Sequence, residues 1–168
     1  MAPLRPYAEG DYISLAIAAN TPKIARWMRN TFPQPYTADN AKAWISFADS
    51  VFPPRDFAIC RPDGSAFIGG IGLKARTDIH HRTMEIGYWL SEYYRHQGIA
   101  TEAVTAFSGW VFANFEKLVR LDAEVFYGNR ASHRVLEKAG FEFEGRRRKA
   151  VEKLGVVIDA LTYRKVKE

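Results

Sequence analysis

The sequence predicts a mixed α/β (α+β) domain built on a largely antiparallel sheet. From residue 56 onward, strand-patterned segments joined by hairpin turns come first, and helices then interleave with strands. Residues 82–126 follow the order strand, glycine-containing loop, long helix, strand, which is typical of a crossover between two parallel strands. A chain of 168 residues, 47% of them hydrophobic, fits one domain spanning residues 1–168 with a substantial core.

The first 55 residues are predicted to be mainly helical after a short strand at 4–7. Asp11 can cap the first helix, and Pro22 interrupts it, because proline removes a backbone donor and clashes with the preceding turn. Thr37 can cap the next helix, in which apolar residues recur at i, i+3, i+4 and i+7. Pro53 and its neighbouring proline end that helix.

From residue 56 onward, period-two alternation favours strands, and turn residues separate them. A Pro62-Asp63-Gly64 turn predicts a hairpin between the first two of these strands. The predicted elements are strands at 57–60, 66–73, 83–90 and 121–126, a long helix after residue 98, a helix at 131–139, and two final strands separated near Leu154-Gly155.

The cysteine, histidine and hydrophobic patterns disfavour disulfide-bonded, metal-binding and membrane-spanning proteins. Cys60 is the only cysteine, which rules out an internal disulfide, disfavours a cysteine-based zinc site and, with its apolar neighbours, predicts a buried strand thiol. His80-His81 has no further ligand pattern, so we expect no metal. Residues 1–6 lack a secretion signal, and no stretch approaches the roughly 20 apolar residues of a membrane span. We therefore expect a cytoplasmic protein without a membrane partner.

The formal net charge of +5 suits nucleic acid, but it equally suits a pyrophosphate-bearing cofactor or an acidic partner. The sequence contains neither a helix pattern with a continuous basic face nor an RNA-binding aromatic motif, which disfavours nucleic acid. We expect a monomer or a homodimer.

Between a predicted strand and the predicted long helix lies the loop Arg95-His96-Gln97-Gly98-Ile99-Ala100. Successive amides of such a loop can converge on an anion, aided by the positive end of the helix dipole, while glycine and alanine let phosphate oxygens approach the backbone. The alternative is that Gly98 only begins a tightly packed helix. The loop lacks the Lys-Ser/Thr ending of a P-loop and the GxGxxG pattern of a dinucleotide fold, so kinase and dehydrogenase functions are disfavoured.

Three ordered motifs together resemble the GNAT acyltransferase superfamily, and more narrowly its ribosomal-protein (Rim-type) N-terminal acetyltransferase branch. The likeness covers nearly the whole chain, from Leu4-Arg5-Pro6 to Tyr163. The motifs are Glu85-Ile86-Gly87-Tyr88-Trp89-Leu90, then Arg95-x-x-Gly98-x-Ala100-Thr101-Glu102-Ala103, and finally Asn129-Arg130-Ala131-Ser132 with Leu136-Glu137-Lys138-Ala139-Gly140-Phe141.

The resemblance implies a sheet of about seven strands, splayed between the fourth and fifth, flanked by helices. It also implies acetyl-CoA as co-substrate, no metal, and direct attack of a primary amine on the thioester in a ternary complex. Carried over residue by residue, the cofactor contacts are backbone at Trp89 and Leu90 for pantetheine, the loop Arg95–Ala100 for pyrophosphate, and Asn129 near the thioester.

The resemblance also supplies two candidate catalytic residues. Glu85 would accept the proton of the amine, directly or through water, and a solvated strand carboxylate is the alternative. Ser132 would protonate the departing thiolate, and simple capping of a helix is the alternative. Some members of the branch place a base on the penultimate strand, where this chain has Val151, with Glu152 predicted to point to the opposite face.

Three hypotheses concern the acceptor and the activity. A protein or peptide N-terminal amine is the first hypothesis, a small amine such as an aminosugar, polyamine or antibiotic is the second, and a non-catalytic acyl-CoA-binding module is the third. Trp27, Tyr36 and Trp44 can line an acceptor pocket, although core packing explains the spacing of the tryptophans better. The run Arg146-Arg147-Arg148-Lys149 can recruit an acidic group, or it can protect a solvated strand edge.

Overall fold

The computed structural model describes residues 4–168. Residues 1–3 of the predicted domain, which are half of the segment 1–6 considered for a secretion signal, lie outside the described part. The chain divides into two compact units. The first contains the chain up to Gly72 together with Tyr88–Ala103, and the second contains Leu73–Gly87 together with Val104–Glu168. Within residues 4–168, no helix is both long and apolar enough to cross a membrane.

The secondary structure follows the predicted order closely. Within the described residues, the helices are α1 (Tyr12–Ala19), α2 (Pro22–Ala25), α3 (Ala38–Ser50), α4 (Ile99–Asn114) and α5 (Arg130–Lys138). The strands are β1 (Leu4–Arg5), β2 (Asp56–Cys60), β3 (Phe67–Ala75), β4 (Thr83–Leu90), β5 (Arg120–Phe126), β6 (Glu142–Lys153) and β7 (Val156–Val166).

The strands form one mixed sheet, which confirms the predicted fold class. Their order is β1-β2-β3-β4-β5-β7-β6. β4 and β5 are parallel, whereas β1 with β2, β2 with β3, β5 with β7 and β7 with β6 are antiparallel. The parallel pair is the crossover predicted from residues 82–126, with α4 as its connecting helix.

The parallel ladder between β4 and β5 is short. It joins Thr83, Met84 and Glu85 to residues 120–122, and in the described residues it extends no further although β4 continues to Leu90. This early end is what the predicted divergence of the fourth and fifth strands requires.

In the first unit, α3 begins with the predicted Thr37 cap. Thr37 Oγ1 accepts the Asn40 backbone N–H at 3.2 Å, and the Thr37 backbone N–H donates to Asn40 Oδ1 at 2.9 Å. This reciprocal pair satisfies two backbone donors at the helix start. Ala41, Ile45 and Ala48 then face the core at helical spacing.

The predicted capping role of Asp11 is wrong. Its side chain makes no cap hydrogen bond to α1. It accepts hydrogen bonds from both terminal nitrogens of Arg5, each at 2.7 Å, and from the Ala8 N–H at 2.8 Å. Burial opposes its ionisation, but the Arg5 and Ala8 hydrogen bonds outweigh burial and hold its pKa below the usual value. A bidentate, charge-assisted partner therefore competes successfully with the helix end.

In the second unit, β5 has one apolar and one polar face. Leu121, Ala123 and Val125 are buried, whereas the alternating charged residues on the other face are only partly buried. Asp122 is in register with Arg164 on β7, so the polar face continues onto the next strand. This polar face carries Glu85, the predicted base.

Candidate active site

The loop Arg95–Ala100 has two residues in left-handed backbone conformations directly before α4. His96 has φ of 62° and Gly98 has φ of 80°. A Cβ atom built on Gly98 would meet no heavy atom within 4 Å, so tight packing of the helix start does not explain this glycine. The positive φ explains it, because other residues adopt that conformation at a cost.

Exposure and backbone direction suit this loop to an anion. His96, Gln97 and Gly98 are exposed, whereas Ile99 is buried and anchors the start of the helix. The first N–H groups of a helix have no partner within it, and the dipole of the 16-residue α4 adds positive potential at this end. Main-chain amides of this turn can therefore hold a diphosphate.

The end of β4 lies against β3 in the first unit. The Ser91 N–H donates to the Ile68 carbonyl at 2.8 Å. A side chain on Gly69 would overlap the Trp89 carbonyl and come within 3.1 Å of Leu90 Cα, so this glycine permits the close approach. Because backbone groups alternate in direction along a strand, the Leu90 amide points to the opposite edge of β4. Leu90 can therefore pair with an extended ligand arm at that edge.

Glu85 belongs to an ion-pair network on the polar face of the second unit. Its cross-strand neighbour on β5 is Asp122. One guanidinium serves both carboxylates: Arg76 Nη2 lies 3.9 Å from Glu85 Oε2 and 3.2 Å from Asp122 Oδ2. Arg120 extends the network by joining Asp122 to Glu144, both at 2.5 Å. A structural role in this network is thus the alternative to proton transfer by Glu85, which is half-buried on its strand.

Asn129 and Ser132 lie at the start of α5 in the second unit. Asn129 is the N-cap residue, and its Oδ1 accepts the Ser132 backbone N–H at 3.3 Å. The N-cap acceptor of α5 is therefore Asn129. Both side chains are half-buried. The hydroxyl of Ser132 is on the first turn of a helix whose cap is supplied by another residue.

The model of the acetyltransferase (GNAT) domain matches residues 3–142 of the chain. The chain belongs to the GNAT family. Two relatives from Bacillus subtilis (strain 168) are the uncharacterized N-acetyltransferase YoaA, 35% identical over 111 residues, and the probable N-acetyltransferase YjcK, 45% identical over 100 residues. These alignments cover 66% and 60% of this chain. The chain spans 62% and 55% of the length of these two relatives.

Solved structures share the fold of this GNAT chain. Mycobacterium smegmatis RimJ in complex with CoA-disulfide is 24% identical, with a TM-score of 0.85 over 97% of this chain and 80% of that one. The microcin C7 self-immunity acetyltransferase MccE, in complex with acetyl-CoA and AMP, is 22% identical, with a TM-score of 0.81 over 98% and 91% of the two chains. At these identities the likeness establishes the fold.

The position at which the resemblance implies a base in some members of the branch lies on β6 in this GNAT chain. Val151 is half-buried and pairs with Ile158, whereas Glu152 is exposed and pairs with Val157. Strand alternation therefore directs Glu152 away from the face of Val151, as predicted. No carboxylate takes the place of Val151 on β6, so Glu85 or a water-mediated route stays the prediction for the base.

The basic run at 146–149 is partly neutralised. Arg146 Nε lies 2.6 Å from Asp159 Oδ2 and stacks over the Tyr127 ring at 4.3 Å. Arg147 Nη1 lies 2.7 Å from Glu124 Oε2. Two of the four cations are thus engaged within the second unit, which supports the protective role at a strand edge over the recruitment of an acidic group.

Of the three aromatic residues considered for an acceptor pocket, Tyr36 and Trp44 belong to the core of the first unit. Tyr36 is buried and Trp44 packs against the same cluster, which also contains the buried thiol of Cys60. Burial raises the pKa of Cys60, which fits an inert strand thiol. Trp27 lies apart from this cluster, beneath the guanidinium of Arg26 at 4.7 Å from its ring centroid.

A group of polar atoms that the sequence prediction does not include lies over β3. Asp56 pairs with Gly72 across the β2–β3 ladder, and a Cβ on Gly72 would overlap the Asp56 carboxylate. A Cβ on Gly70 would lie 2.5 Å from Tyr7 Oη and 2.9 Å from Trp89 Nε1. The sequence contains one signal for this group, because several glycines within one strand mark a close approach of other atoms.

Proposed function

We propose that this GNAT domain is an acyltransferase that moves the acetyl group of acetyl-CoA to a primary amine, and that the acceptor is a protein or peptide N-terminal amine. The observation that carries the proposal is the loop Arg95–Ala100. The loop lies within the residues that match the GNAT domain, and it forms an exposed turn. In this turn Gly98 adopts φ of 80° in open space directly before a 16-residue helix. That arrangement fits a diphosphate better than it fits a packing role.

The chain's own residues supply a binding site for each part of acetyl-CoA. Amides of Gly98 and its neighbours hold the diphosphate, and the outward-facing Leu90 backbone pairs with the pantetheine arm. Asn129 lies near the thioester in the family pattern. CoA-bound and acetyl-CoA-bound structures with the same fold support this assignment.

The reaction is a direct transfer. The neutral amine attacks the thioester carbonyl carbon, an N–C bond forms, and a tetrahedral intermediate collapses with loss of the thiolate. Glu85 accepts the amine proton, directly or through water, and Ser132 donates a proton to the thiolate sulfur. A backbone N–H of the 88–90 region polarises the carbonyl oxygen. The products are the acetylated amine and the free thiol of CoA, and solvent takes the proton from Glu85 and returns one to Ser132, so that both side chains regain their starting state.

An N-terminal amine is favoured as acceptor by the Rim-type resemblance and by RimJ among the structures with this fold. The second candidate, a small amine, is favoured by the presence of MccE, a self-immunity acetyltransferase, among the same neighbours. Turnover of peptides and of small amines distinguishes these two acceptor candidates. We expect efficient acetylation of short peptides with free N-termini and slow acetylation of spermidine and glucosamine; the reverse order would replace the first acceptor by the second.

The catalytic assignment is tested with matched variants. Glu85→Gln should keep acetyl-CoA binding and lower kcat near neutral pH by about 10²-fold or more, because general-base catalysis contributes on that order. Glu152→Gln, an exposed β6 control, should retain wild-type kcat. Ser132→Ala should lower kcat in the same assay. Equal kcat in Glu85→Gln and the control would exclude Glu85 from proton transfer.

A further inference from the structure

The first unit contains a carboxylate that the proposed mechanism does not use. Asp56 is half-buried at the start of β2, and its carboxylate lies over the Cα of Gly72. Within residues 4–168, no hydrogen bond or ion pair joins this carboxylate to another side chain. The adjacent Arg55 acts on it only at longer range, and Arg55 Nε is itself buried without a partner. A desolvated anion without a partner is costly unless it binds a cation.

Two hydrogen-bond donors lie over the same face of β3. Gly70 and Gly72 are two residues apart and so share a face. The Tyr7 hydroxyl and the Trp89 indole N–H converge over Gly70, where an added Cβ would be 2.5 and 2.9 Å from them. Asp56 covers Gly72 in the same way. Gly70 and Gly72 lack side chains, and this leaves room for all three polar groups. We call the surface that these two glycines form the β3 glycine surface.

Aromatic rings surround the donors. The Tyr7 ring lies 5.9 Å from Phe67 and 6.4 Å from Trp44, and the Trp89 ring lies 5.8 Å from Phe67 and 6.0 Å from Phe32. Aromatic faces attract cations, and the attraction grows where water is excluded. A carboxylate beside such rings selects a cationic group over a neutral or anionic one.

The spacing selects one class of cation. Two residues of a strand span about 6.6 Å, which separates the carboxylate over Gly72 from the donors over Gly70. An N-terminal residue carries an ammonium group and, one carbon away, a carbonyl oxygen. With a hydrogen bond of about 2.8 Å at each end, these two groups can bridge that distance. An alkylamine has the ammonium group alone.

We propose that Asp56, Tyr7 and Trp89 form the recognition site for the α-ammonium group and first carbonyl of a peptide N-terminus. The inference rests on the proposed function, because it assigns this group to the acceptor. Asp56 binds the ammonium, and the Tyr7 hydroxyl and Trp89 indole N–H donate to the carbonyl oxygen. The ammonium group loses its proton before transfer, and the proposed mechanism passes that proton to Glu85, directly or through water. Asp56, Tyr7 and Trp89 therefore position the acceptor.

The test measures binding without turnover, so that its failure is distinct from failure of the proposed reaction. Alaninamide is titrated into the ¹⁵N-labelled protein and followed at the Trp89 indole resonance, assigned with Trp89→Phe. Propylamine, which lacks the carbonyl, should bind several-fold more weakly, and N-acetylalaninamide, which lacks the charge, should not shift the resonance. Asp56→Asn should weaken alaninamide binding by about tenfold or more, because hydrogen bonds to charged groups contribute on that scale.

Matched variants keep the test decisive. Asp49→Asn changes an exposed aspartate on α3 in the same unit and should bind alaninamide as the wild type does. Tyr7→Phe removes one hydroxyl and should weaken binding of alaninamide but leave that of propylamine unchanged. Equal affinity in Asp56→Asn and the wild type, or equal affinity for alaninamide and N-acetylalaninamide, would overturn the proposal. Absence of peptide acetylation by a protein that binds alaninamide in this way would instead overturn the proposed reaction.

Discussion

Replacing Asp56 by asparagine should stabilise the protein at neutral pH while it weakens acceptor binding. Burial raises the pKa of the Asp56 carboxyl from 3.8 to about 6, although the neighbouring Arg55 lowers it. A shift of about two units corresponds to about 3 kcal/mol of penalty on the charged form. Because the carboxylate is only half-buried, solvent screening reduces the effect to about 1–2 kcal/mol. Asparagine has nearly the same shape and never ionises.

The direction in which the free energy of unfolding changes with pH follows from proton linkage. The folded state holds the Asp56 proton more tightly than the unfolded state, so stability falls as pH rises from about 4 to about 6, and the full penalty is present above that range. The charged and titratable groups that act on Asp56 are Arg55 and Tyr7, and burial raises the pKa of Tyr7 further above this range. The variant should therefore be more stable than the wild type by about 1–2 kcal/mol at pH 8, and this gain should shrink towards pH 4.5.

Urea unfolding of both proteins between pH 4.5 and 8 measures this difference. Other carboxylates contribute equally to the two proteins and cancel in the comparison. Asp49→Asn is the control and should give a pH-independent difference near zero, because surface substitutions rarely change stability by much. A variant of Asp56 that is less stable than the wild type at pH 8, or a gain that does not depend on pH, would refute the reasoning.

Three further predictions concern other parts of the fold. Gly98→Glu should abolish acetyl-CoA binding by placing a carboxylate where the diphosphate binds, whereas Gly64→Glu, at a turn with φ of 75° and equal clearance, should add the same backbone strain and bind normally by calorimetry. Asn129→Ala should lower the free energy of unfolding by about 1 kcal/mol through loss of the α5 cap, and an unchanged urea midpoint would exclude the cap. Asp11→Asn should destabilise the fold at pH 7, and the loss should shrink as pH falls through the lowered folded-state pKa of Asp11; a loss that does not diminish between pH 7 and pH 3 would contradict this.

Much of the fold is predictable because its strongest signals are local. The alternating pattern at 83–90 and the long helical pattern after Gly98 give β4 and α4 closely, and Thr37 with Asn40 defines the start of α3. The candidate loop before α4 follows from a glycine and an alanine placed between the predicted strand at 83–90 and the predicted long helix. In each case the residues that decide the structure are neighbours along the chain.

The remaining features depend on contacts between distant residues. Arg5 captures Asp11 and so removes the predicted cap, which no periodicity reveals. Asp122 lies beside Glu85 because β4 and β5 are in parallel register, and Arg76 contacts both carboxylates. The position of Asp56 over Gly72 likewise depends on cross-strand register.

The most direct test of the account compares acetyl-CoA with S-acetylpantetheine, which lacks the diphosphate, by calorimetric titration of the wild type and Gly98→Glu. If the turn at Gly98 holds the diphosphate, the wild type should bind acetyl-CoA at least 10²-fold more tightly, and the variant should lose that preference. Equal affinity of the wild type for the two thioesters, or an undiminished preference in Gly98→Glu, would contradict the account.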